Sequence, residues 1–288
     1  MHQLITSDHC SLQYFVQGRG PTLIFLHGWS SSAMEWLPFA ERLSDRYRVI
    51  CWNARGHGLQ AHDDATDVSL DRMATDLQQL LATEAPAGAL LVGHSMGALT
   101  AWNYIRLFGG ARLRGLVVVD QSPRLLTDDD WSMGVYGNFC VRRNARFLQQ
   151  LRDDFSDAVC RLIFSCLEPT GQQLPDLPLV GKLRRYLAIQ PAELLTRCWQ
   201  SLTEADLRGV LPRIGCPTLL IYGSNSQFYS EQLAAWVASQ IPDSSLLHYP
   251  DADHSPHISH RQRFIDDLHR FASGLPATAE RPPEPLPC

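Results

Sequence analysis

The chain has 288 residues, 45% of them hydrophobic and 19% charged, a composition that excludes a disordered, collagenous or coiled-coil protein. At this length one large α/β domain or about two smaller ones are expected. Thirty acidic against 25 basic side chains leave a formal charge of −5, without the basic surplus that nucleic-acid binding needs.

Apolar runs at Leu12 to Val16, Thr22 to Leu26 and Arg48 to Trp52 read as strands. Gly88 to Val92 and Leu113 to Val119 are almost continuously apolar, as parallel strands buried on both faces are. Helical periodicity fills the gaps at Ala33 to Leu43, Leu70 to Leu81 and Met96 to Phe108, the last ended by Gly109-Gly110. This alternation predicts a parallel sheet with right-handed crossovers and a site at the carboxyl ends of its strands. From Gln121 to Val210 no strand-like run occurs. That stretch reads as short helices broken at Glu168-Pro169, Pro175 to Pro178 and Gln190-Pro191. Strand and helix alternate again at Cys216 to Tyr222, Ser230 to Gln240, Ser245 to Tyr249 and Ser259 to Phe271. The expected division is an α/β core of residues 1–120 and 211–274, a helical cap inserted at 121–210, and a flexible proline-rich tail at 275–288.

Eight cysteines, at 10, 51, 140, 160, 166, 198, 216 and 288, include no C-x-x-C pair and read as buried thiols in a reducing compartment. His254, His257 and His260 are spaced by three, but Pro256 interrupts a helical ligand ladder and no acidic residue completes a metal pattern, so no metal is expected. No apolar run approaches the roughly 20 residues that span a bilayer. Met1-His2-Gln3-Leu4 shows no basic stretch followed by an apolar one, so no signal peptide is expected. The expected compartment is the cytoplasm.

Gly93-His94-Ser95-Met96-Gly97 fits G-x-S-x-G between a buried strand and a helix. The glycines allow a sharp turn that pushes the Ser95 hydroxyl out above the sheet, with the Met96 N–H at a helix N-terminus that favours negative charge. His27-Gly28-Trp29 follows the Thr22 to Leu26 strand, where a second backbone donor for an oxyanion would lie. Asn53-Ala54-Arg55-Gly56-His57-Gly58 is a glycine-supported loop, and Asp251-Ala252-Asp253-His254 follows the last strand.

These four elements, in this order over about residues 10 to 273, resemble the α/β-hydrolase superfamily, in particular its capped serine esterase and haloperoxidase-like branch. The resemblance implies a mostly parallel eight-stranded sheet with helices on both faces. It also implies a serine hydrolase that cleaves a carboxylic ester or thioester through an acyl-enzyme, with no cofactor. The chain departs from the pattern at Asn53, where aspartate is usual, and at Gln60, where serine is usual. A third departure touches the chemistry. Where the family writes G-x-x-D after the strand ending at Tyr222, this chain has Gly223-Ser224-Asn225-Ser226, so the acid is missing or sits elsewhere.

Asp120, at the end of the Leu116 to Val119 run, is the residue assigned to that role. It is expected on the strand beside the one ending at Tyr222, and Ser95, Asp120 and His254 then keep the family's chain order. Asp251 and Asp253 lie too near His254 in sequence to reach round to its ring. The oxyanion donors are assigned to the backbone N–H groups of Trp29 and Met96. The cap's aromatics, Trp131, Tyr136, Phe139, Phe155, Phe164, Tyr186 and Trp199, offer enough surface to line an apolar acyl pocket, and Trp131, Tyr136 and Phe139 are the ones assigned to substrate binding. The expected partner is a small-molecule acyl substrate, with an acyl-carrier or CoA-linked form compatible, and neither nucleic acid nor membrane. The cap's eleven basic and eleven acidic residues cancel, so it is no general anion trap. Three other readings stay open: a cofactor-independent dioxygenase using the His254–Asp120 pair, a biosynthetic acyltransferase, and a ligand receptor on a hydrolase scaffold that binds without turnover.

Overall fold

A computed structural model of the chain describes residues 1–58, 67–164, 174 and 177–276. In chain order the elements are β1 (His2–Ile5), β2 (Ser11–Gln17), β3 (Thr22–Leu26), α1 (Leu37–Leu43), β4 (Arg48–Trp52), α2 (Leu70–Glu84), β5 (Ala89–His94), α3 (Met96–Phe108) and β6 (Leu113–Val119). Helices α4 (Val141–Asp153), α5 (Phe155–Ile163), α6 (Pro178–Leu187) and α7 (Ala192–Glu204) follow. The chain then returns to the sheet through β7 (Thr218–Gly223), α8 (Glu231–Gln240), β8 (Ser244–Tyr249), α9 (Pro256–Ser259) and α10 (Arg261–Gly274).

The eight strands form one sheet in the order β1-β2-β4-β3-β5-β6-β7-β8. Strands β3 to β8 pair in parallel, while β1 and β2 add antiparallel at one edge. Side-chain alternation along each strand feeds two cores. Ile24, Leu26, Leu116 and Val118 pack with α2 and α3, whereas Leu23, Phe25, Val117 and Val119 pack with α1 and α10 through Phe39, Phe264 and Leu268. Leu195 of α7 and Phe147 of α4 belong to the first of these cores, so the segment between β6 and β7 is packed onto the sheet's α2–α3 side. No described helix is long and apolar enough to cross a membrane.

The structure departs from the sequence expectation where local chemistry outweighs periodicity. Ala33 to Leu43 is not one helix: a 3₁₀ turn at Ala33–Glu35 precedes α1, and Pro38 sits in the first turn of α1, where its missing N–H is tolerated. Strand β1 carries no apolar signal because it is a mostly exposed edge strand held by its ladder to β2. The closing helix runs over Arg261–Gly274 as expected, preceded by the four-residue α9, which it meets at His260. Gln60, Cys166, the Glu168-Pro169 break, Pro175, Cys288 and tail residues 277–288 lie outside the described residues.

The loop after β4 is pinned by a buried cation. Arg55 Nε donates to Asp76 Oδ2 at 2.5 Å and Arg55 Nη1 to Asp8 Oδ2 at 2.9 Å, with the Arg55 and Asp76 side chains both fully buried. Removing one partner strands the other charge in a low-dielectric interior. Asp76→Ala should therefore destabilise the fold by about 3 kcal/mol, read as a shift of the urea midpoint, whereas an exposed pair such as Arg208–Asp206 should contribute under about 1 kcal/mol.

Candidate active site

Strand β5 ends at His94 and α3 begins at Met96, which leaves Ser95 alone to make the turn. Its φ of 52° and ψ of −118° lie in a region that non-glycine residues rarely occupy. Such strain persists only where the surroundings enforce it. Here they do: a Cβ on Gly97 would stand 2.1 Å from the Leu26 carbonyl oxygen, and one on Gly93 would stand 2.6 Å from the Ala98 nitrogen. The two glycines let β3, β5 and α3 close around the turn. Gly97→Ala must displace the β3 backbone, and a loss of about 1–3 kcal/mol is expected from the overpacking, measured as a drop in melting temperature.

Asp120 follows β6, with φ 47°. The β6–β7 register, with Val119 opposite Ile221, brings it beside the end of β7. Its Oδ2 accepts from the Gly223 N–H at 2.9 Å, and its Oδ1 accepts from the Ser226 hydroxyl at 2.8 Å. The same Oδ1 accepts from His254 Nδ1 at 2.9 Å, with the carboxylate fully buried. Ser226, at the position where an acid is usual, thus donates to Asp120. Asp253 is turned elsewhere, accepting from the Ser255 N–H at 2.8 Å. The His254 ring packs edge-on against Phe228, with centroids 4.5 Å apart. Burial lowers the His254 pKa below the ordinary histidine value, and the Asp120 carboxylate opposes that shift without cancelling it. At neutral pH the ring is therefore neutral, with its proton on Nδ1 and Nε2 left as an acceptor.

The loop after β3 carries one of the two predicted oxyanion donors, Trp29, and Met96 opens α3. His27 Nδ1 donates to the Gly28 carbonyl at 2.8 Å, and its Nε2 accepts from the Ala54 N–H at 3.0 Å, tying this loop to the one after β4. The Trp29 indole donates to the Leu195 carbonyl at 2.8 Å, which fixes the ring against α7. Among the described residues the backbone N–H groups of Trp29 and Met96 donate to no protein acceptor. Both residues line the same cavity, of about 280 Å³, as Ser95 and His254.

The predicted pocket aromatics need correcting in part: Tyr186 and Trp199 line the cavity, but the three assigned to substrate binding do not. Trp131, Tyr136 and Phe139 do not line this cavity; Trp29, Tyr186, Trp199, Phe228 and Tyr229 do. Trp131 is buried against Trp236 and donates to the Arg124 carbonyl. Phe139 packs behind Trp199, and Tyr136 packs behind Phe228 with its hydroxyl donating to the Leu162 carbonyl. They lie behind the wall. Composition alone does not say which of a helical segment's aromatics face inward.

Two further cavity residues, Glu35 and His94, escaped the sequence reading. His94 Nδ1 lies 2.9 Å from Glu35 Oε1, and His94 Nε2 lies 3.0 Å from the His254 carbonyl oxygen. The Gly28 N–H also reaches Glu35, at 3.3 Å from Oε2. His254, His257 and His260, spaced by three in sequence, turn to different partners. His257 turns its Nε2 to within 3.2 Å of Glu35 Oε1, and His260 packs on Tyr249.

Residues 23–267 match the model of the Alpha/beta hydrolase family. The chain is 30% identical over 264 residues to a pimeloyl-[acyl-carrier protein] methyl ester esterase of Aliivibrio salmonicida, covering 91% of this chain and 95% of that one. It is also 30% identical to an esterase of the same name from Vibrio vulnificus, covering 91% and 98%. Among solved structures, an esterase from Exiguobacterium antarcticum superposes with a TM-score of 0.81 at 20% identity, covering 94% of this chain and 99% of that one. A bromoperoxidase from Bacillus anthracis also reaches 0.81, at 21% identity, covering 94% and 100%. At those identities the structural likeness speaks for the fold.

Proposed function

Because the chain belongs to the α/β-hydrolase family, we propose that it is a serine esterase in which Ser95 is the nucleophile, His254 the base and Asp120 the acid. The observation that carries this reading is the 2.9 Å contact of His254 Nδ1 with the buried Asp120, in the cavity that Ser95 also lines. Asp120 holds the Nδ1 proton in place, so Nε2 is free to take the Ser95 proton as Oγ attacks the ester carbonyl. The Trp29 and Met96 N–H groups receive the negative oxygen of the tetrahedral intermediate, each contributing a few kcal/mol where water is excluded. Collapse of the intermediate expels the alcohol, which takes the proton from His254. Water, deprotonated by the same imidazole, then releases the acid and restores Ser95.

The substrate class follows from the relatives, which are named for methyl esters of an acyl chain on an acyl carrier protein. A methyl ester at the end of a carrier-linked acyl chain suits a cavity whose wall of Leu99, Leu125, Val135, Val159 and Leu162 is apolar. Residues 121–210 act as the cap over the core of 1–120 and 211–274, and a carrier-linked substrate fits an enzyme working in the cytoplasm. Carrier-linked methyl esters of graded chain length should be cleaved with release of methanol, and a fluorophosphonate should add one adduct mass to Ser95. If a panel of such esters, p-nitrophenyl esters and acyl-CoA thioesters is left intact and Ser95 stays unlabelled, the esterase reading fails.

A further inference from the structure

Three of the groups assigned above sit on separate loops: the Trp29 oxyanion donor after β3, the nucleophile after β5 and the base after β8. One side chain touches the supports of all three. Glu35, at the end of the 3₁₀ turn before α1, accepts from the Gly28 N–H at 3.3 Å, next to Trp29. It also meets His94, the residue before Ser95, at 2.9 Å. His94 in turn reaches the backbone of His254 at 3.0 Å.

The proton count in this chain is fixed by its ends. A backbone carbonyl only accepts, so His94 Nε2 carries a proton for the His254 oxygen. At the other end, an unprotonated Nδ1 would face a carboxylate oxygen lone pair to lone pair at 2.9 Å, so Nδ1 carries a proton too. We propose that Glu35 is a positioning residue that holds His94 as a buried imidazolium and through it sets the oxyanion-hole loop and the His254 loop against the elbow. This inference rests on the esterase assignment for its kinetic consequences but not for the state of His94.

The surroundings fit. Burial disfavours the charged form of His94, yet the facing Glu35 outweighs that and raises the histidine's pKa above its ordinary value. Burial likewise opposes ionisation of Glu35, and the charge on His94 with the contact to His257 holds its pKa well below the ordinary range. The other titratable groups around the pair are three histidines, Asp120, Cys51 and Tyr186; burial raises the Cys51 thiol to about 12 and also raises the Tyr186 phenol, so both stay neutral. His257 is kept neutral by burial, with a pKa lowered to about 4, and burial also lowers the pKa of His254 and His27. Asp120 adds negative charge from the β6 side. One cation therefore lies between two carboxylates. Gly28 leaves it room, since a Cβ there would come within 3.1 Å of His94 Nδ1.

The test uses two substitutions and a measurement that needs no substrate. Glu35→Ala removes every contact and should lower kcat on the order of 10²-fold, the size of losing one oxyanion donor, with little change in KM. Glu35→Gln can still accept from Gly28 and can donate its amide N–H to a neutral His94, so it should recover most of the lost kcat. In the parent enzyme kcat should fall at alkaline pH as His94 loses its Nδ1 proton, and that limb should vanish in Glu35→Gln. Nitrogen-15 NMR of the imidazole rings should show His94 protonated on both nitrogens at neutral pH in the parent and on one in Glu35→Gln. The proposal is overturned if Glu35→Ala folds and keeps kcat within about twofold, if His94 is singly protonated in the parent, or if elemental analysis finds a stoichiometric metal between Glu35, His94 and His257. Failure of the parent to react with fluorophosphonate would instead sink the esterase assignment and leave the NMR result standing.

Discussion

Ser95→Ala should lower ester turnover by about 10⁴ to 10⁶-fold while leaving KM and stability nearly unchanged. The size follows from what remains after the hydroxyl is gone. His254 can still activate a water and the Trp29 and Met96 N–H groups can still receive an oxyanion, but no acyl-enzyme can form. Stability should hold because alanine removes only a hydroxyl with no described hydrogen bond, and the backbone at φ 52° is strained for either residue. Initial rates with a p-nitrophenyl ester, beside thermal melting, read both quantities. A variant that retains more than about a tenth of parental turnover would remove Ser95 from the reaction. It would also favour the histidine-driven oxygenation that a His254–Asp120 pair could run without a nucleophile. Product analysis for free acid against a transferred acyl group separates hydrolysis from acyl transfer through the same intermediate.

Much of the sheet was legible because buried parallel strands leave a one-dimensional mark. Each of Ala89–His94 and Thr218–Gly223 is buried along its whole length, and their apolar runs read as strands without knowledge of their neighbours. The elbow was legible for a related reason: its two glycines and the serine between them form one contiguous pentapeptide, with Gly93 demanded by the Gly97–Ala98 backbone and Gly97 by the Leu26 carbonyl of β3. Asp120 needed one more step, the adjacency of β6 and β7, which follows from strand order. The Glu35 network was not legible. It joins positions 28 and 35 between β3 and α1, 94 at the end of β5 and 254 after β8, and each alone looks like an ordinary turn or element-end residue. The aromatic lining was legible only in part: of the cap aromatics, Trp199 and Tyr186 face the cavity, while Phe139 and Trp131 face other helices and loops.

Asp120→Asn should lower kcat by about 10³ to 10⁴-fold with little loss of stability. Asparagine keeps the shape and can still accept from the Gly223 N–H, but it carries no charge against the imidazolium that forms as Ser95 is deprotonated. Its amide can also present N–H to His254 Nδ1, which favours the tautomer with the proton on Nε2, the wrong nitrogen for a base. The pH dependence has a definite sign. His254 acts only when neutral, so the acid limb of kcat lies where that ring protonates, below the ordinary histidine value because burial dominates. Asp120 is the contribution that raises it, so Asp120→Asn should move the residual activity's acid limb to still lower pH. Asp253→Asn should be mild, since that carboxylate serves the Ser255 N–H. The adjacent position allows a rescue. Ser226 Oγ lies 2.8 Å from Asp120 Oδ1 and occupies the place where relatives of this fold usually carry their acid. Adding Ser226→Asp to Asp120→Asn returns a carboxylate to the neighbourhood of His254 Nδ1, and a recovery of at least about tenfold in kcat is expected, roughly 1.4 kcal/mol of transition-state stabilisation. Ser226→Asp alone should be harmful, because two carboxylates would then crowd one buried imidazole and one of them must be protonated or displaced. Rates for the two singles and the double decide the assignment: a mild Asp120→Asn, or a double variant no faster than it, would place the acid elsewhere.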